Sequence, residues 1–535
     1  MRLLTVLTDW RRVLIYTHRW LGIAGCLVFL MWFVSGVVMM YERMPRLTAE
    51  ERLARLPALD ASAIRIAPGD AARHAKVAPD RIRVGMLGSR PVYRLEADGE
   101  WTTVYADTGD PLAGLSPARA IEIVKRFVPE QSASISHGGR LEQPDQWTLD
   151  GGLPRFLPMH RVALGDDEGT FFYVSERTGE PVMKTTTRGR VWGFLGAVLH
   201  WTYFTPFRQQ RELWRYTIIY AALIGCVMCA SGLVVGIWRF SPFKRFRLKR
   251  QPSHSPYAGL MWWHHYAGLL FGLFSFTWAL SGALSLTPWD WAPSTGPTPG
   301  QRAALSGGAL NLAAVTPERL RAAVGAIAQD LAAPKEIEIL QFQGHPFAVG
   351  YRSPSLPAAL RSTNPDVAAI FSPQLALDRR LVPLDGPALP ALEHFDRDLL
   401  LAAARAAMPG RHIIEATWLD AYDAYYYDKW NAKPLPILRV RYDDKEATAL
   451  YVDPHTGLVS LRHTTASRIN RWLYNGLHSF DFPFLYYSRP AWDVTLLVLS
   501  AGGLALTVTT MVPTWRRLRR HARHALARRR RSTSV

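Results

Sequence analysis

The hydrophobic residues of the chain are concentrated in four long runs. Each run is 22 to 24 residues long and contains no Asp, Glu, Lys or Arg. At about 1.5 Å per residue, a helix of this length spans the ~30 Å hydrocarbon core of a bilayer. The pattern therefore predicts four transmembrane helices, at Trp20–Tyr41, Tyr216–Trp238, Tyr266–Trp289 and Val494–Trp515.

Between these runs, apolar and polar residues alternate over shorter stretches. Two segments with helical spacing follow an N-cap residue and a proline, at Ser116-Pro117 and Thr316-Pro317. Strand-like segments that end in a Thr-Gly turn occur at 102–112, 171–182 and 448–459. With a more divergent unit near 309–385, they predict about four α+β modules of roughly 70 residues, two in each half, separated by linkers at 294–301 and 383–390.

The charge of the chain is concentrated at the ends of the apolar runs. The formal net charge of the 535 residues is +19, and three clusters carry 18 of these charges: residues 1–19, residues 239–250 and the tail from Arg516. Cations that flank membrane helices face the cytoplasm. The pattern predicts a multi-pass protein of a bacterial inner membrane, with both termini cytoplasmic and with 43–212 and 290–490 in the periplasm. The basic tail then fits anionic lipid rather than nucleic acid.

These assignments divide the chain into eight consecutive segments. They are residues 1–42, the cytoplasmic N-terminus and first transmembrane helix; 43–187, a periplasmic domain; 188–240, a His-bearing segment and the second helix; 241–259, a cytoplasmic loop; 260–289, the third helix; 290–465, a second periplasmic domain; 466–515, a second His-bearing segment and the fourth helix; and 516–535, the basic cytoplasmic tail. The three cysteines all fall within the apolar runs, so no disulfide framework is expected.

The two halves of the chain resemble each other. At an offset of 246, His18 aligns with His264 and Ser35-Gly36 with Ser281-Gly282; at an offset of 278, His200 aligns with His478, Trp214 with Trp492 and Arg190 with Arg468. The alignments predict an internal duplication whose halves share one membrane orientation and are related by a pseudo-twofold axis along the membrane normal. The predicted fold class is an α-helical membrane protein with four transmembrane helices and α+β periplasmic domains.

The duplication gives the histidines a chemical meaning. Residues related by the axis lie at equal depth, so His18 should face His264 near the cytoplasmic surface, and His200 should face His478 near the periplasmic surface. Each pair fits the two axial positions of a b-type haem, and two bis-histidine haems are the expected cofactors. Interfacial histidines, zinc sites and a proton relay are the alternatives. His265 aligns with Arg19 and is not expected to be a ligand.

The motifs resemble those of the PepSY-associated transmembrane proteins, also described as iron-regulated membrane proteins. The similarity rests on HRWLG in the first helix, on YVDPHTG at 451–457, and on the Leu-His segments before the second and fourth helices. It implies PepSY-like periplasmic domains and electron delivery to a periplasmic ferric siderophore, with release of iron(II). His160 aligns with Leu438, so any role of His160 is asymmetric.

The electron donor and the contacts of the cofactors are less defined. No G-x-G-x-x-G motif is present, so quinol or a separate cytoplasmic reductase is expected to donate electrons. Arg190 and Arg468 flank the periplasmic histidines and are candidate contacts of haem propionates. The alternative function is a membrane-tethered PepSY binding module that regulates an exported peptidase. The sequence leaves the identity of the siderophore, the oligomeric state and the roles of His160 and His265 open.

Overall fold

The computed structural model describes residues 10–149, 152–248, 251–331, 334–352, 378–386, 390–428 and 433–532. The chain divides into two compact units. We call Met1–Arg43, Trp192–Ala292 and Ile469–Val535 the helical unit, and Met44–Val191 and Pro293–Arg468 the sheet unit. Each unit is formed from both halves of the sequence.

The helical unit contains four helices that are long and apolar enough to cross a membrane. They are Trp10–Tyr41, Arg211–Arg239, Leu260–Ser285 and Ala491–Ser532, called here the first to fourth helices. Each agrees with one predicted run. The third helix ends at Ser285 instead of residue 289, because Pro288 removes a backbone donor and disfavours a helical conformation at Thr287.

The four helices form a closed bundle. The first and third helices each pack against both the second and the fourth, so the first and third lie across the bundle from each other. Shorter elements of this unit include the helices Thr205–Gln209 and Pro483–Tyr486, the 3₁₀ turn Pro288–Asp290, and a hairpin of Phe246–Leu248 with Gln251–Ser253.

Short helical segments precede the second and fourth helices, and each contains a π-helical turn. The first runs through Thr187–Gly193, the π turn Phe194–Val198 and Leu199–Trp201; the second runs through Thr465–Arg471, the π turn Trp472–Gly476 and Leu477–Ser479. Both end at a residue with positive φ, Thr202 and Phe480. The indole Nε1 of Trp214 donates to the carbonyl of Trp201 at 2.9 Å, and that of Trp492 donates to Ser479 at the same distance.

The sheet unit contains antiparallel sheets whose strands come from both halves. The strands are β1 (Arg81–Leu87), β2 (Arg90–Ala97), β3 (Glu100–Tyr105), β4 (Ser136–Leu141), β5 (Met159–Ala163), β6 (Phe171–Ser175), β7 (Pro181–Thr185), β8 (Glu336–Phe342), β9 (His345–Arg352), β10 (Asp378–Pro383), β11 (Ile413–Leu419), β12 (Ile437–Tyr442), β13 (Ala449–Val452) and β14 (Val459–His463). Their orders are β10-β9-β8-β1-β2-β3, β4-β5-β6-β7 and β11-β12-β13-β14.

The six-stranded sheet joins modules that the sequence suggested as separate. Strand β1 pairs antiparallel with β8, and Ile82 lies opposite Ile339 at the centre of the sheet. The pairing covers an edge that each three-stranded module would otherwise leave open. Helices pack on the sheets and bury the apolar cores; they are Ala49–Arg55, Pro68–Ala75, Pro117–Phe127, Pro299–Ser306, Pro317–Leu331 and Arg397–Ala407.

The local helix signals of the sequence have mixed outcomes. The predicted starts at Pro117 and Pro317 are confirmed, and Ser116 caps the first by accepting from the Arg119 backbone N–H at 3.2 Å. The predicted linker at 294–301 is wrong over its last residues, because Thr298 and Gln301 form a capping box that starts a helix. Most of the predicted unit between 353 and 377 lies outside the described residues.

Candidate cofactor site: paired histidines in the helical unit

The first imidazole pair consists of His18 on the first helix and His264 on the third. Their ring centres are 6.1 Å apart across the bundle, with the ring planes at 37°. The Nδ1 of His18 lies 2.9 Å from the Met228 carbonyl oxygen, and the Nδ1 of His264 lies 3.1 Å from that of Leu506. These acceptors lie on the second and fourth helices, so each neighbouring helix orients one ring.

The second imidazole pair consists of His200 and His478, which follow the two π-helical turns. Their ring centres are 6.0 Å apart, with the ring planes at 73°. The Nδ1 of His200 lies 3.1 Å from the Ser35 hydroxyl on the first helix, and the Nδ1 of His478 lies 3.0 Å from the Ser281 hydroxyl on the third. The π turns aim each histidine at a serine of an adjacent membrane helix.

Hydrogen bonding selects the same tautomer for all four rings. A carbonyl oxygen only accepts, so Nδ1 of His18 and of His264 must carry the proton. Ser35 donates its hydroxyl proton to the Met31 carbonyl at 2.6 Å, and Ser281 donates to Trp278 at 3.1 Å. Both hydroxyl oxygens are therefore left to accept from the imidazole Nδ1–H. The result is four imidazoles with an unprotonated Nε2, which is the form that binds metals.

The separation within each pair fits a metal ion held between two imidazoles. A metal–imidazole bond is about 2.0–2.1 Å long, and two such bonds in line put the ring centres roughly 6 Å apart. Among the described residues, no group of three or more His, Cys, Asp or Glu side chains could hold a metal ion. Each pair thus offers two axial nitrogens, and the donor set fits a planar metal complex that brings its own equatorial ligands.

A cavity of about 580 Å³ surrounds the first imidazole pair. Ligand pockets typically have volumes of about 300–1,000 Å³, so it is large enough for an organic cofactor. Its walls are mainly apolar, and Gly22 and Gly268 line it one helical turn beyond His18 and His264. No other atom lies within 4 Å of a Cβ built at Gly22. The two glycines thus keep space open beside the imidazoles.

Arginines line one end of this cavity, and the sequence did not single them out as site residues. They are Arg19, Arg516, Arg517 and Arg520. Their signal was hidden, because cations at the end of a membrane helix are already explained by the topology of the chain. Only folding shows that these four face the same space as the histidines.

The two arginines proposed from sequence lie in the sheet unit. Arg190 donates to the hydroxyl of Thr185 at 2.9 Å and stacks over Phe171 at 4.8 Å. Arg468 reaches the carbonyl of Glu446 at 3.4 Å. The propionate contacts suggested for Arg190 and Arg468 stay predictions.

His265 has a structural role, as its alignment with Arg19 suggested. The ring is buried, with Nδ1 at 2.7 Å from the Ser255 hydroxyl and Nε2 at 2.8 Å from the Gly236 carbonyl. Both nitrogens are occupied, so neither can bind a metal. Of the two adjacent histidines, only His264 directs its ring toward the cavity partner His18.

Aromatic rings occupy the space between the two imidazole pairs. Phe33, which lines the cavity, is 5.8 Å from Trp278, and Trp278 is 6.4 Å from Phe480. Seventeen residues separate His18 from Ser35 on one helix, which corresponds to about 25 Å along the axis. The two pairs therefore lie far apart in the same bundle, with packed aromatic side chains between them.

The sheet unit holds a separate set of buried ionised groups. Arg52 donates to both carboxylate oxygens of Glu336 at 2.8 Å, and Arg83 donates to Glu180 at 2.6 Å. Burial alone raises the pKa of Glu336, but Arg52 and Arg83 outweigh it and hold that pKa well below its usual value. The groups satisfy one another, so they join β1, β7 and β8 instead of forming a site.

His160 also forms contacts within the sheet unit. Its Nε2 lies 2.8 Å from the Leu115 carbonyl and 3.1 Å from Glu176, and its Nδ1 lies 2.9 Å from Nε2 of His137. Burial, and then the neighbouring His160, lower the pKa of His137. The second half has leucine at the aligned position, 438, so this chain of three side chains has no counterpart there.

The comparisons with known proteins add no identity to this geometry. No family model matches the sequence, and no curated protein matches it.

Proposed function

We propose that the chain is an internally duplicated membrane protein that binds one b-type haem at each imidazole pair. The duplication is supported by the equivalent contacts in both halves: the acceptors Met228 and Leu506 are 278 residues apart, and the acceptors Ser35 and Ser281 are 246 residues apart. These intervals equal the two offsets of the sequence alignment.

The observation that carries the haem proposal is the fixed tautomer of the four facing imidazoles. Two rings that each present an unprotonated Nε2 cannot hydrogen bond to each other, so a Lewis acid between them is the favourable partner. Histidine ligands with a second nitrogen bonded to a carbonyl or hydroxyl are oriented and made more basic. Haem bound at these sites would supply a one-electron carrier near each end of the bundle.

The function proposed on this basis is electron transfer across a bacterial inner membrane to a ferric chelate, such as a ferric siderophore, in the periplasm. The chain's own contribution is to orient the ligands, exclude water with aromatic and aliphatic walls, and keep the two sites at a fixed separation. Reduction of the substrate's iron(III) to iron(II) weakens its binding by hard oxygen ligands, which releases the metal. Quinol or a cytoplasmic reductase is the proposed donor. The PepSY-like character of the sheet unit belongs to the same proposal.

The first test is haem content. Purified wild-type protein should contain two haems per chain, with the absorption of low-spin bis-histidine haem that shifts on reduction. His18→Ala and His264→Ala should each leave one haem, and His200→Ala and His478→Ala should each leave the other. His521→Ala is the matched control, because this exposed histidine near the end of the fourth helix faces neither pair.

The second test is electron transfer in vesicles with oriented protein. A reductant is placed on the cytoplasmic side, and a ferric siderophore with an iron(II) indicator on the other. Wild type should form iron(II), and His478→Ala should keep a reducible haem but form little iron(II). Equal iron(II) formation by both proteins would reject the electron path. A colourless wild-type protein would reject the haem proposal and favour the peptidase-regulating binding module.

A further inference from the structure

The cavity at the first imidazole pair is polar and charged at one end. Arg19 follows His18 on the first helix, and Arg516, Arg517 and Arg520 lie near the end of the fourth helix. Arg19 stacks over Tyr16 at 5.0 Å, and Arg520 Nε lies 3.4 Å from the Arg516 carbonyl. Among the residues that the structure describes, no carboxylate forms an ion pair with any of the four.

Four cations around one cavity repel one another unless an anion lies between them. Ordinary lipid-facing arginines at a helix end do not meet this condition, because they can extend separately into the headgroup region. These four instead converge on the space that the two imidazoles also line. The arrangement favours a ligand that has a metal at one end and negative charge at the other.

The wall between the histidine and the arginines is continuous. Thr510, Pro513 and Thr514 line the cavity between Leu506, which accepts from His264, and Arg517. Eleven residues separate Leu506 from Arg517, or about 16 Å along the helix axis. Side chains on a helix lean toward its N-terminus, so a long arginine on the last turns reaches back by several ångströms toward His264.

Building on the haem proposal above, we propose that Arg19, Arg516, Arg517 and Arg520 bind the two propionate carboxylates of the haem held by His18 and His264. The carboxylate edge of the haem then points toward the C-terminal end of the fourth helix. Guanidinium groups bind carboxylates through paired N–H···O bonds, and two carboxylates neutralise half of the local charge. The assignment replaces a sequence-based choice of arginines with one based on a shared cavity.

The test compares two forms of the cofactor on the full-length apoprotein in detergent. Haem and its dimethyl ester differ only in the charge and donor capacity of the propionates. Wild type should bind free-acid haem at the first pair at least about 10-fold more tightly than the ester, because charge-assisted hydrogen bonds are lost. His200→Ala protein isolates this site for the titration. The dissociation constants are measured by absorption and require no turnover.

Variants then assign the preference to the arginines. Arg516→Gln with Arg517→Gln should remove most of the preference for the free acid, and lysine at both positions should restore part of it. Arg519→Gln with Arg523→Gln is the matched control, because these exposed arginines of the same helix do not line the cavity.

Three results would overturn the assignment. Equal affinity of wild type for both forms, or an unchanged preference in the Arg516/Arg517 variant, would show that propionates are not bound there. Loss of a co-purified anionic lipid from that variant, with its haem preference intact, would assign the arginines to a lipid headgroup. A wild-type protein that binds neither form would instead reject the proposed function itself.

Discussion

Gly232 is the position where the smallest substitution should remove one cofactor site. It lies on the second helix, one turn beyond Met228, whose carbonyl holds the Nδ1 of His18. A Cβ built at Gly232 is 2.7 Å from His18 Nδ1 and closer still to Cε1, whereas ordinary van der Waals contact begins at 3.4 Å. Gly232→Ala therefore forces the imidazole away from the second helix by at least 0.7 Å, the difference between 2.7 and 3.4 Å.

The consequence for His18 follows from its hydrogen bond. A displacement of 0.7 Å away from the second helix lengthens the 2.9 Å bond to Met228 to as much as 3.6 Å, at which it is lost. The lost bond costs about 1 kcal/mol, and a strained rotamer costs about 0.5–1.5 kcal/mol. Because metal sites lose about 10–100-fold in affinity when a ligand loses its orienting partner, the haem of the first pair should dissociate in dilute detergent.

The assay is haem content per chain, together with the reduced-minus-oxidised spectrum. Gly232→Ala should contain close to one haem, with the second site unchanged. Gly236→Ala is the matched control, because this glycine lines the same cavity one turn later and its Cβ meets Leu269 at an ordinary 3.5 Å. Two haems of wild-type affinity in Gly232→Ala protein would refute the role given to His18.

Three further expectations concern other parts of the chain. Ser281→Ala should lower haem affinity at the second pair about 10–100-fold, since His478 loses its acceptor, and titration of the apoprotein measures this. Burial lowers the pKa of His463 to about 4 from 6.5, so the unfolded chain takes up a proton first and the stability of the sheet unit should fall between pH 6.5 and 4 by on the order of 3 kcal/mol; denaturant titrations should show a smaller loss for His463→Gln, and an equal loss would contradict the assignment. A reporter fused after residue 245 should be active only in the cytoplasm; periplasmic activity would reverse the topology.

The membrane helices were predictable because their signal is local. A run of more than 20 apolar residues identifies a span without knowledge of its neighbours. The relation of His18 to His264 was also accessible, because an internal alignment substitutes for distance information. The same alignment separated His264 from His265, which the hydrogen bonds of His265 explain.

The partners of the histidines could not be predicted in the same way. Ser35 and Ser281 were visible as repeated positions, but their hydroxyls are recognised as acceptors only when the π turns bring His200 and His478 onto them. A π turn adds one residue to a helical turn and leaves no simple mark in the hydrophobic pattern. The pairing of β1 with β8 joins strands about 250 residues apart and likewise has no local signal.

The different repeat intervals identify which part of the chain tolerates a change in length. The first and third helices repeat at 246 residues and the second and fourth at 278, yet the hydrogen bonds of the two halves correspond. The difference of 32 residues therefore lies outside the bundle, in the segments that form the sheet unit. Within the bundle the spacing between His18 and Ser35 is instead fixed, because one helix serves both imidazole pairs.

An inserted alanine after Leu27 tests this reasoning. The insertion rotates Ser35 by about 100° relative to His18 and moves it by about 1.5 Å, so the first helix can satisfy only one of the two imidazole pairs. Haem content should fall from two to about one, although Leu27 itself is an exposed side chain. An alanine inserted at Gly99, in the turn between β2 and β3, should leave both haems in place. Two haems after the helix insertion would show that the sites do not depend on a shared rigid helix.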